Sequence, residues 1–504
     1  MFGGDLLRTR AASTPDRPAL SLTETGEEWS YRELDRAVEE MAGSLGAVQS
    51  DEGNPRIAVA LPTGFSFVCA AHAALRSGSQ LVPLNTRLSP TELAARLDRL
   101  DPEVVLCASQ TEQLLAETDD LREDSRTTEY FTVDDPSTAL TRRLPASETA
   151  VEPDALSPDE TALILFTSGT TGEPKGVQLT VGNLTASAIA SAVRLGVTPS
   201  DRWLCCLPMY HMGGLAPVFR SALYGTELVV QSEFDPEETA EIIDSAGITG
   251  VSLVPTQLSR LLDVGLSVPA LRTVLLGGAP APESLLERAA DAEIPVCPTY
   301  GLTETASQVA TARPSEHREH PGTVGQPLYG TRVSLVDQDG NQVGPDERGE
   351  VVVDGLTVTP GYLDADRTDK AFSELGLHTG DLGRRDEDGR LWILGRMDDT
   401  IITGGELVAP ATVADVIREL PEIADVAVVG IEDEEWGERI AAVLVPETGD
   451  MDAAALKDSV ETHCREQLAG YKIPRQMAVV DSLPRTQSGT VERERVREIL
   501  TGSV

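Results

Sequence analysis

Residues 167–176, TSGTTGEPKG, combine glycines, hydroxyl side chains and a lone lysine, Lys175, in ten positions. The apolar run ALILF (162–166) predicts a buried strand, so this loop follows the carboxyl end of a strand, where α/β sheets bind ligands. Glycine lets the backbone approach a ligand, and hydroxyl and N–H groups donate to anionic oxygens. The loop is not a Walker loop, because GEPKG lacks the G-K-[ST] ending. The pattern predicts phosphate binding, and the alternative is a plain surface turn.

Lysine is rare in this chain of 504 residues, which has only Lys175, Lys370, Lys457 and Lys472. Acidic residues outnumber basic ones by 82 to 41, which gives a net charge of −41, and they are spread along the chain. This composition predicts a self-repelling surface adapted to high salt, where mobile ions screen the repulsion. The alternative is an acidic face that binds a basic partner. The charge argues against nucleic acid and anionic membranes as partners, since both are polyanions.

The cysteines and the amino terminus bear on the cellular compartment. No pair has the C-x-x-C spacing, so we expect reduced, mostly buried side chains at Cys69, Cys107, Cys205, Cys206, Cys297 and Cys464. The start MFGGDLLRTRAAST lacks the apolar core of a signal peptide, and no stretch approaches 18 apolar residues. These features predict a soluble, cytoplasmic protein without membrane insertion.

The segments that must position the loop alternate between strand and helix patterns. RIAVALP (56–62) and QLVPLN (80–85) predict strands, and SFVCAAHAALRSG (66–78) predicts a helix that ends at glycine. This βαβ rhythm favours a parallel sheet. After about residue 320, short strands with the turns DQDG and DEDG indicate a β-rich subdomain. The prediction is a large α/β domain (1–394), with βαβ layers plus this subdomain, and a small α+β domain (395–504).

Several further stretches occur in a fixed order, and together they carry a family resemblance. The loop FTSGTTGEPKGV resembles the signature loop of the adenylate-forming superfamily, which includes acyl-CoA synthetases and luciferases. The other matching stretches are LPMYHMGGL (207–215), TYGLTETASQ (299–308), LHTGDLG (377–383), GRMDDTIITGGELVAP (395–410) and LPRTQSGTVER (483–493). The resemblance spans nearly the whole chain. It implies that a carboxylate attacks the α-phosphate of ATP and that a thiol, commonly CoA, then attacks the acyl-adenylate.

The resemblance also implies roles for individual residues. It assigns phosphate binding to the loop residues Thr167, Ser168, Gly169, Thr170, Thr171, Gly172 and Lys175. It places Tyr300 near adenine, Thr303 on the α-phosphate, Glu304 on Mg²⁺, Asp381 on the ribose hydroxyls and Arg396 on the nucleotide. His211 occupies the position of a gating or acid-contacting side chain, Asp398 that of the hinge of a mobile small domain, and Gly404 and Gly405 that of the CoA path.

The stretches expected to form the acyl pocket resemble most closely the o-succinylbenzoate–CoA ligases of menaquinone biosynthesis. Examples are HMGGLAPVFRSALYGTELVV (211–230) and LLGGAPAPESLLERA (275–289). That acid carries a second carboxylate on a benzene ring, so its pocket needs donors, for which Ser307, Gln308 and Arg220 are candidates. Gly277 and Gly278 would leave room for the ring, and Arg220 could equally be a structural arginine. The alternative substrates are other aryl or medium-chain acids.

One departure from the family pattern concerns catalysis. Thr490 stands where the resemblance implies a lysine that bridges the substrate carboxylate and the α-phosphate. A charge-assisted contact at such a place contributes several kcal/mol to a transition state. We therefore predict slower adenylation, or a replacement charge from Arg485, Arg493 or Lys472. A third reading is a weakly catalytic or non-catalytic adenylate-binding protein. The sequence leaves monomer and homodimer open.

Overall fold

The structure is a computed structural model, and it describes residues 5–49, 54–122, 128–147, 149, 151, 157–167, 174–397, 401–403, 406–408, 410–433, 436–448, 452–485 and 491–502. The helices within these ranges are α1 (Leu6–Ser13), α2 (Tyr31–Gly46), α3 (Phe65–Arg76), α4 (Pro90–Leu100), α5 (Ser109–Asp119), α6 (Val181–Leu195), α7 (Met212–Tyr224), α8 (Pro236–Ser245), α9 (Pro255–Asp263), α10 (Glu283–Asp291), α11 (Pro314–Glu319), α12 (Ala365–Ala371), α13 (Pro410–Arg418), α14 (Ala453–Gln467) and α15 (Arg493–Thr501). None of these helices has both the length and the apolar character needed to cross a membrane.

The strands build four sheets. They are β1 (Pro18–Leu22), β2 (Glu28–Ser30), β3 (Arg56–Ala60), β4 (Gln80–Pro83), β5 (Val104–Cys107), β6 (Glu129–Thr132), β7 (Arg142–Arg143), β8 (Thr161–Thr167), β9 (Lys175–Thr180), β10 (Arg202–Cys205), β11 (Glu227–Val230), β12 (Gly250–Leu253), β13 (Thr273–Leu276), β14 (Val296–Leu302), β15 (Ser307–Thr311), β16 (Gln326–Pro327), β17 (Thr331–Val336), β18 (Arg348–Gly355), β19 (Gly361–Tyr362), β20 (Phe372–Ser373), β21 (Gly376–Arg385), β22 (Leu391–Arg396), β23 (Ile401–Thr403), β24 (Glu406–Val408), β25 (Ile423–Asp433), β26 (Gly437–Pro446) and β27 (Gln476–Val479).

The first two sheets are mostly parallel. One runs in the order β16-β15-β14-β13-β12-β10-β11-β1-β2, and the other in the order β19-β9-β8-β4-β3-β5-β6-β7. Their parallel centres, such as β12–β13–β14 and β4–β3–β5–β6, are bounded by antiparallel neighbours, such as β14–β15 and β8–β9. Central strands read as unbroken apolar runs because helices cover both faces of such sheets. The predicted βαβ rhythm is therefore confirmed.

Local sequence accounts for the ends of the helices that cover these sheets. The helix α4 begins with a capping box, in which Ser89 Oγ accepts from the Glu92 amide and the Ser89 amide donates to the Glu92 carboxylate. The helix α6 begins with the equivalent pair Thr180 and Asn183 and ends at Gly196, which has a left-handed conformation. These signals fix where each helix starts and stops, and hence which strand ends face the site.

The third sheet is antiparallel, with the order β17-β18-β21-β20 and β22 paired to β21. Its predicted turns are confirmed: Gly340 and Gly389 have positive φ angles and donate to Asp337 and Asp386, the first residues of the two turns. The fourth sheet, in the order β24-β23-β26-β25 with β27 beside β26, belongs to the later part of the chain and packs with α13, α14 and α15. A large α/β part followed by a small α+β part is thus confirmed.

The structure bears on two further predictions, the state of the cysteines and the position of the domain boundary. All six cysteines are buried and free, as predicted. The boundary predicted between residues 394 and 395 falls inside β22, since Gly395 and Arg396 still pair with Leu382 and Asp381 of β21. The predicted hinge residue, Asp398, lies outside the described residues, so its role stays a prediction.

Candidate active site

The glycine-rich loop is the turn of a hairpin between β8 and β9. These strands are antiparallel, and Thr167 at the end of β8 lies opposite Lys175 at the start of β9. The apolar residues of β8 are buried, which holds both ends of the turn at the edge of the second sheet. The predicted phosphate ligands Ser168, Gly169, Thr170, Thr171 and Gly172 lie outside the described residues, so their role stays a prediction.

Lys175 faces an aromatic ring that belongs to the next strand of the sheet. Its Nζ lies 5.5 Å from the ring centroid of Tyr362, and β19 places that tyrosine beside Val177 of β9. The Tyr362 hydroxyl donates to Glu304 Oε1 at 3.0 Å. A cation, a phenol and a carboxylate thus lie in one row next to the glycine-rich loop.

Glu304 lies in the short 3₁₀ turn Thr303–Thr305 that links β14 to β15. This turn needs unusual backbone, because Ala306 and Ser307 adopt positive φ angles of 50° and 113°. Gly301 permits the close return of the chain, since a Cβ there would lie 1.7 Å from the Ser307 carbonyl oxygen. Strain of this kind concentrates at functional sites, which supports the predicted roles of Thr303 and Glu304.

The second group of side chains surrounds Asp381 in β21. The Tyr300 hydroxyl donates to Asp381 Oδ2 at 2.5 Å, and Arg396 Nη1 donates to Asp381 Oδ1 at 3.2 Å. Arg396 also donates to the Thr379 carbonyl, and the Thr379 hydroxyl accepts from the Asp381 amide. Three stretches that are far apart in the sequence therefore meet at one carboxylate, which we call the Asp381 cluster.

Burial sets the electrostatics of both groups. It raises the pKa of Asp381, while the Tyr300 hydroxyl and the Arg396 guanidinium oppose the rise. The pKa of Tyr300 is raised by burial and by Asp381, and the pKa of Tyr362 is raised by burial and by Glu304. Both tyrosines are therefore neutral at pH 7 and act as hydroxyl donors to their carboxylates.

His211 precedes α7 and has its ring 4.7 Å from that of Tyr210, in an edge-on arrangement. The pKa of His211 is lowered, first by partial desolvation and then by the charges of Arg96 and Arg87. Arg96 also lies 5.8 Å from the ring centroid of Phe166, the last residue before the phosphate loop begins. His211 is thus a neutral imidazole on the cationic side of the site.

The predicted acyl-pocket residues divide into two sets. Gly277 and Gly278 follow β13 at the carboxyl edge of the first sheet, and a Cβ at Gly277 would lie 2.7 Å from Thr299 Cγ2. Ser307 begins β15 in the strained turn. These three positions lie at the carboxyl ends of β13 and β14 or in the turn after β14, and their place in the acyl pocket stays a prediction.

Arg220 and Gln308 lie deeper. Arg220 is buried and donates to Ser187 Oγ at 3.1 Å, and that hydroxyl in turn donates to the Ala306 carbonyl. Gln308 is also buried, and its amide donates to Thr311 Oγ1 at 2.7 Å. The described contacts of Arg220 therefore support the strained turn from below, as the structural alternative supposes. Direct contact of either side chain with the acid stays a prediction.

Three predicted residues of the small domain, Thr490, Gly404 and Gly405, lie outside the described residues, so their roles stay predictions. Arg493, three residues after Thr490, is described and begins α15. The pKa of Arg493 is lowered to about 10 by burial and by the charges of Arg497 and Arg396. The charges of Arg493 and Arg396 therefore interact across the structure.

Sequence reasoning missed Tyr362, Thr379 and the pair of arginines near His211. Tyr362 follows TPG in a stretch without periodicity, and only its pairing with β9 places it beside Lys175. Thr379 is two residues before Asp381, and its hydroxyl accepts a hydrogen bond from the Asp381 amide. Threonine side chains often make such local bonds, so the sequence contained a signal for this contact. Arg87 and Arg96 lie on either side of the capping box of α4 in the sequence. Nothing in that stretch indicates that both arginines act on His211.

The donor set at Glu304 fits a magnesium ion bound together with substrate phosphates. Mg²⁺ in such sites takes one or two carboxylates, phosphate oxygens and water. Glu304 presents a carboxylate of which one oxygen accepts from Tyr362, and Lys175 is the cation on the other side of that tyrosine. A single carboxylate near a lysine and the ends of the glycine-rich loop suits this ion.

Comparisons with known proteins identify the family to which the chain belongs. The family model described as AMP-binding enzyme matches residues 7–363, and the AMP-binding enzyme C-terminal domain matches residues 412–490. The 2-succinylbenzoate–CoA ligase of Bacillus velezensis is 38% identical over 499 residues, which cover 98% of each chain. The o-succinylbenzoate CoA synthetase of Bacillus subtilis in complex with its acyl-adenylate intermediate is similar in structure, with a TM-score of 0.88, 36% identity and 98% of both chains covered. The same synthetase with ATP and magnesium has a TM-score of 0.87.

Proposed function

The chain belongs to the AMP-binding enzyme family, and from this premise we propose that it is an ATP-dependent, AMP-forming acid–CoA ligase that activates 2-succinylbenzoate. The observation that carries the proposal is similarity over the full length to ligases for that acid, at 35–38% identity in several bacilli. The reaction forms the acyl thioester used in menaquinone biosynthesis. Other aryl or medium-chain acids are the alternative substrates.

The proposed first step is attack of the acid carboxylate on the α-phosphorus of ATP, which breaks the bond to pyrophosphate. Lys175 provides a compact positive charge where the β- and γ-phosphates leave. Glu304 would hold the magnesium ion, which supplies charge neutralisation for the leaving phosphates when bound. Thr303 lies in the same turn and provides a hydroxyl for the α-phosphate.

The nucleoside is held by the Asp381 cluster. Each oxygen of Asp381 receives one protein donor, Tyr300 or Arg396, and a carboxylate oxygen has further lone pairs that suit the two ribose hydroxyls. Ribose donors would offset the burial that raises the pKa of Asp381. Binding of the nucleoside would thus stabilise the charged form of the Asp381 carboxylate, which burial disfavours.

The proposed second step is attack of the CoA thiol on the acyl carbonyl, with AMP as the leaving group. In this proposal His211, a neutral imidazole near Arg87 and Arg96, contacts the acid or gates the approach of the thiol. The two arginines supply positive charge beside this approach. The CoA path along Gly404 and Gly405 and the hinge at Asp398 complete the proposal.

At position 490 we propose that Arg493 supplies the charge that the threonine lacks. Arg493 is close enough to Arg396 for the two charges to interact. The other candidates are less suited: Arg485 pairs with Asp425 at 2.5 Å, and Lys472 lies 5.8 Å from the ring of its neighbour Tyr471. Of the three candidates, Arg493 is the one whose charge interacts with a residue of the Asp381 cluster, which supports the proposal.

The test of the proposed activity is an assay with ATP, magnesium, CoA and 2-succinylbenzoate, with other aryl and medium-chain acids in parallel, across a range of salt concentrations. Pyrophosphate and thioester are measured separately. We expect both products, the highest kcat/KM for 2-succinylbenzoate and the best activity at high salt. Pyrophosphate without thioester would indicate a stalled enzyme, and neither product with any acid would favour an adenylate-binding protein.

The role of Arg493 is tested in the same assay. Arg493→Gln should lower the rate of pyrophosphate release at least tenfold, and adding Thr490→Lys should restore it, because one cation replaces another. Arg495→Gln, an exposed neighbour on α15, is the matched control and should keep the parent rate. An Arg493→Gln enzyme with the parent rate would contradict the assignment.

The cytoplasmic location and the choice between monomer and homodimer stay predictions.

A further inference from the structure

A cavity of about 420 Å³ opens at the amino ends of β13 and β14. Four arginines line it: Arg194 from the end of α6, Arg272 just before β13, and Arg313 and Arg318 at α11. Thr273, the first residue of β13, and Cys297, the second residue of β14, complete its floor. We call this site the arginine cavity.

The arginine cavity is separate from the candidate active site. Gly277 and Tyr300, at the other ends of β13 and β14, belong to the candidate active site. Thr273 is four residues from Gly277, which corresponds to roughly 13 Å along an extended strand. The two sites thus share strands but open on opposite edges of the first sheet.

Two of the four arginines are held in place by protein groups. Arg194 Nε donates to the Thr311 carbonyl at 2.6 Å, and its guanidinium pairs with Glu316. Arg272 pairs with Asp201, a carboxylate that is only 6% exposed. These contacts orient the two guanidinium groups, so a ligand would not have to order them.

The other two arginines carry excess charge. Arg313 donates its Nε to the Arg194 carbonyl at 3.3 Å, which is a neutral partner. Within the described residues, neither Arg313 nor Arg318 pairs with a carboxylate, and both are exposed. The floor adds no negative charge, because burial raises the pKa of the Cys297 thiol to about 12. In a chain with twice as many acidic as basic residues, this cavity is therefore locally cationic.

We propose that the arginine cavity binds a small anion that carries two or more phosphate groups. The planar guanidinium fork matches phosphate oxygens in bidentate geometry, and converging forks favour several oxyanions on one molecule. Glu316 and Asp201 neutralise two of the four arginines. The positive charge of the other two arginines matches the negative charge of a diphosphate group. The proposal does not depend on the activity proposed above.

The test is isothermal titration calorimetry with sodium pyrophosphate, without magnesium. The parent protein should show two sites, one at the glycine-rich loop and one in the arginine cavity. Arg313→Gln/Arg318→Gln should weaken the cavity site at least tenfold and leave the loop site, whereas Lys175→Ala should weaken the loop site alone. The matched control is Arg260→Gln/Arg348→Gln, which removes the same charge from two exposed positions outside the cavity and should keep both sites.

Three results would overturn the proposal. One is a single site that Lys175→Ala abolishes. Another is binding that is the same in the parent and in Arg313→Gln/Arg318→Gln. The third is equal weakening in the cavity variant and in the Arg260→Gln/Arg348→Gln control, which would show a general charge effect instead of a site. Circular dichroism of each variant confirms that the comparison is between folded proteins.

Discussion

Glu112 in α5 and Asp381 in β21 are both buried carboxylates, yet their surroundings shift their pKa values in opposite directions. Four groups donate to Glu112 Oε2 at 2.7–2.9 Å: the amide and hydroxyl of Ser137, the Thr138 amide and the Thr141 hydroxyl. Burial would raise the pKa of Glu112, but these donors outweigh it and lower the pKa to about 2. Glu112 thus ties a loop to the second sheet.

Among the described residues, Asp381 has two side-chain donors, Tyr300 and Arg396, and its pKa is raised. Burial is the largest cause, and the two donors do not offset it. The difference teaches how to separate a structural carboxylate from a binding one. At Glu112 four donors converge on Oε2 and keep the carboxylate charged, although Oε1 has no hydrogen-bond partner among the described residues. At Asp381 the two donors leave the pKa raised, and the remaining lone pairs are available to a ligand.

The largest expected effect is on the binding carboxylate. Asp381→Asn should lower kcat/KM for ATP about 100-fold or more, because an amide accepts ribose hydroxyls at one atom only and carries no charge. Steady-state kinetics with varied ATP measures this, and urea unfolding should show a change of less than about 1 kcal/mol. Asp388→Asn, an exposed carboxylate in the turn after β21, is the control and should keep the parent kinetics. An active Asp381→Asn enzyme would remove the ribose assignment.

The converse effect is expected at the structural carboxylate. Glu112→Gln should reduce the free energy of unfolding by about 2 kcal/mol, because charge-assisted hydrogen bonds to buried donors become neutral ones. Urea unfolding measures this loss, and kcat/KM of the folded variant should match that of the parent. Glu117→Gln, an exposed position on the same helix, should leave both quantities unchanged. A loss of activity without a loss of stability at Glu112 would contradict the comparison.

The smallest effect is a difference in pH dependence. Because the folded pKa of Glu112 lies below its ordinary value of 4.5, its stabilisation is complete above about pH 4.5 and is lost as the pH falls toward 2. The pKa of Asp381 is shifted upward, so folding favours its protonated form, and adenosine affinity should fall at a higher pH than stability does. Adenosine titrations and urea unfolding at a series of pH values measure the two profiles.

The substitutions identify the groups behind these profiles. Asp381→Asn should flatten the pH dependence of adenosine affinity in this range, and Glu112→Gln should flatten the acid limb of the stability profile. Coincident midpoints for affinity and stability in the parent protein would show that one unfolding event causes both, and the proposed separation would be wrong.

Much of the fold followed from local patterns. The strands β3 and β4 and the helix α3 lie within two residues of the predicted segments. Strand alternation, capping boxes and Asp–Gly turns act over a few residues, so a sequence window contains their causes. The boundary near residue 394 was harder to place, because β22 is held by its pairing with β21 and not by a signal of its own.

The site residues that lie in recognisable motifs were predicted from the sequence. The residues that reach the site only through contacts between distant chain segments were missed. The sequence alone determined that a lysine-bearing glycine loop follows a buried strand, and its family resemblance singled out Tyr300, Glu304 and Asp381. Only the tertiary structure decided that Tyr362 joins Lys175 to Glu304, and that α15 brings Arg493 near Arg396. The physical reason is that turn and cap chemistry is local, whereas the pairing of β19 with β9 and the packing of α15 depend on burying surfaces that lie far apart in the chain.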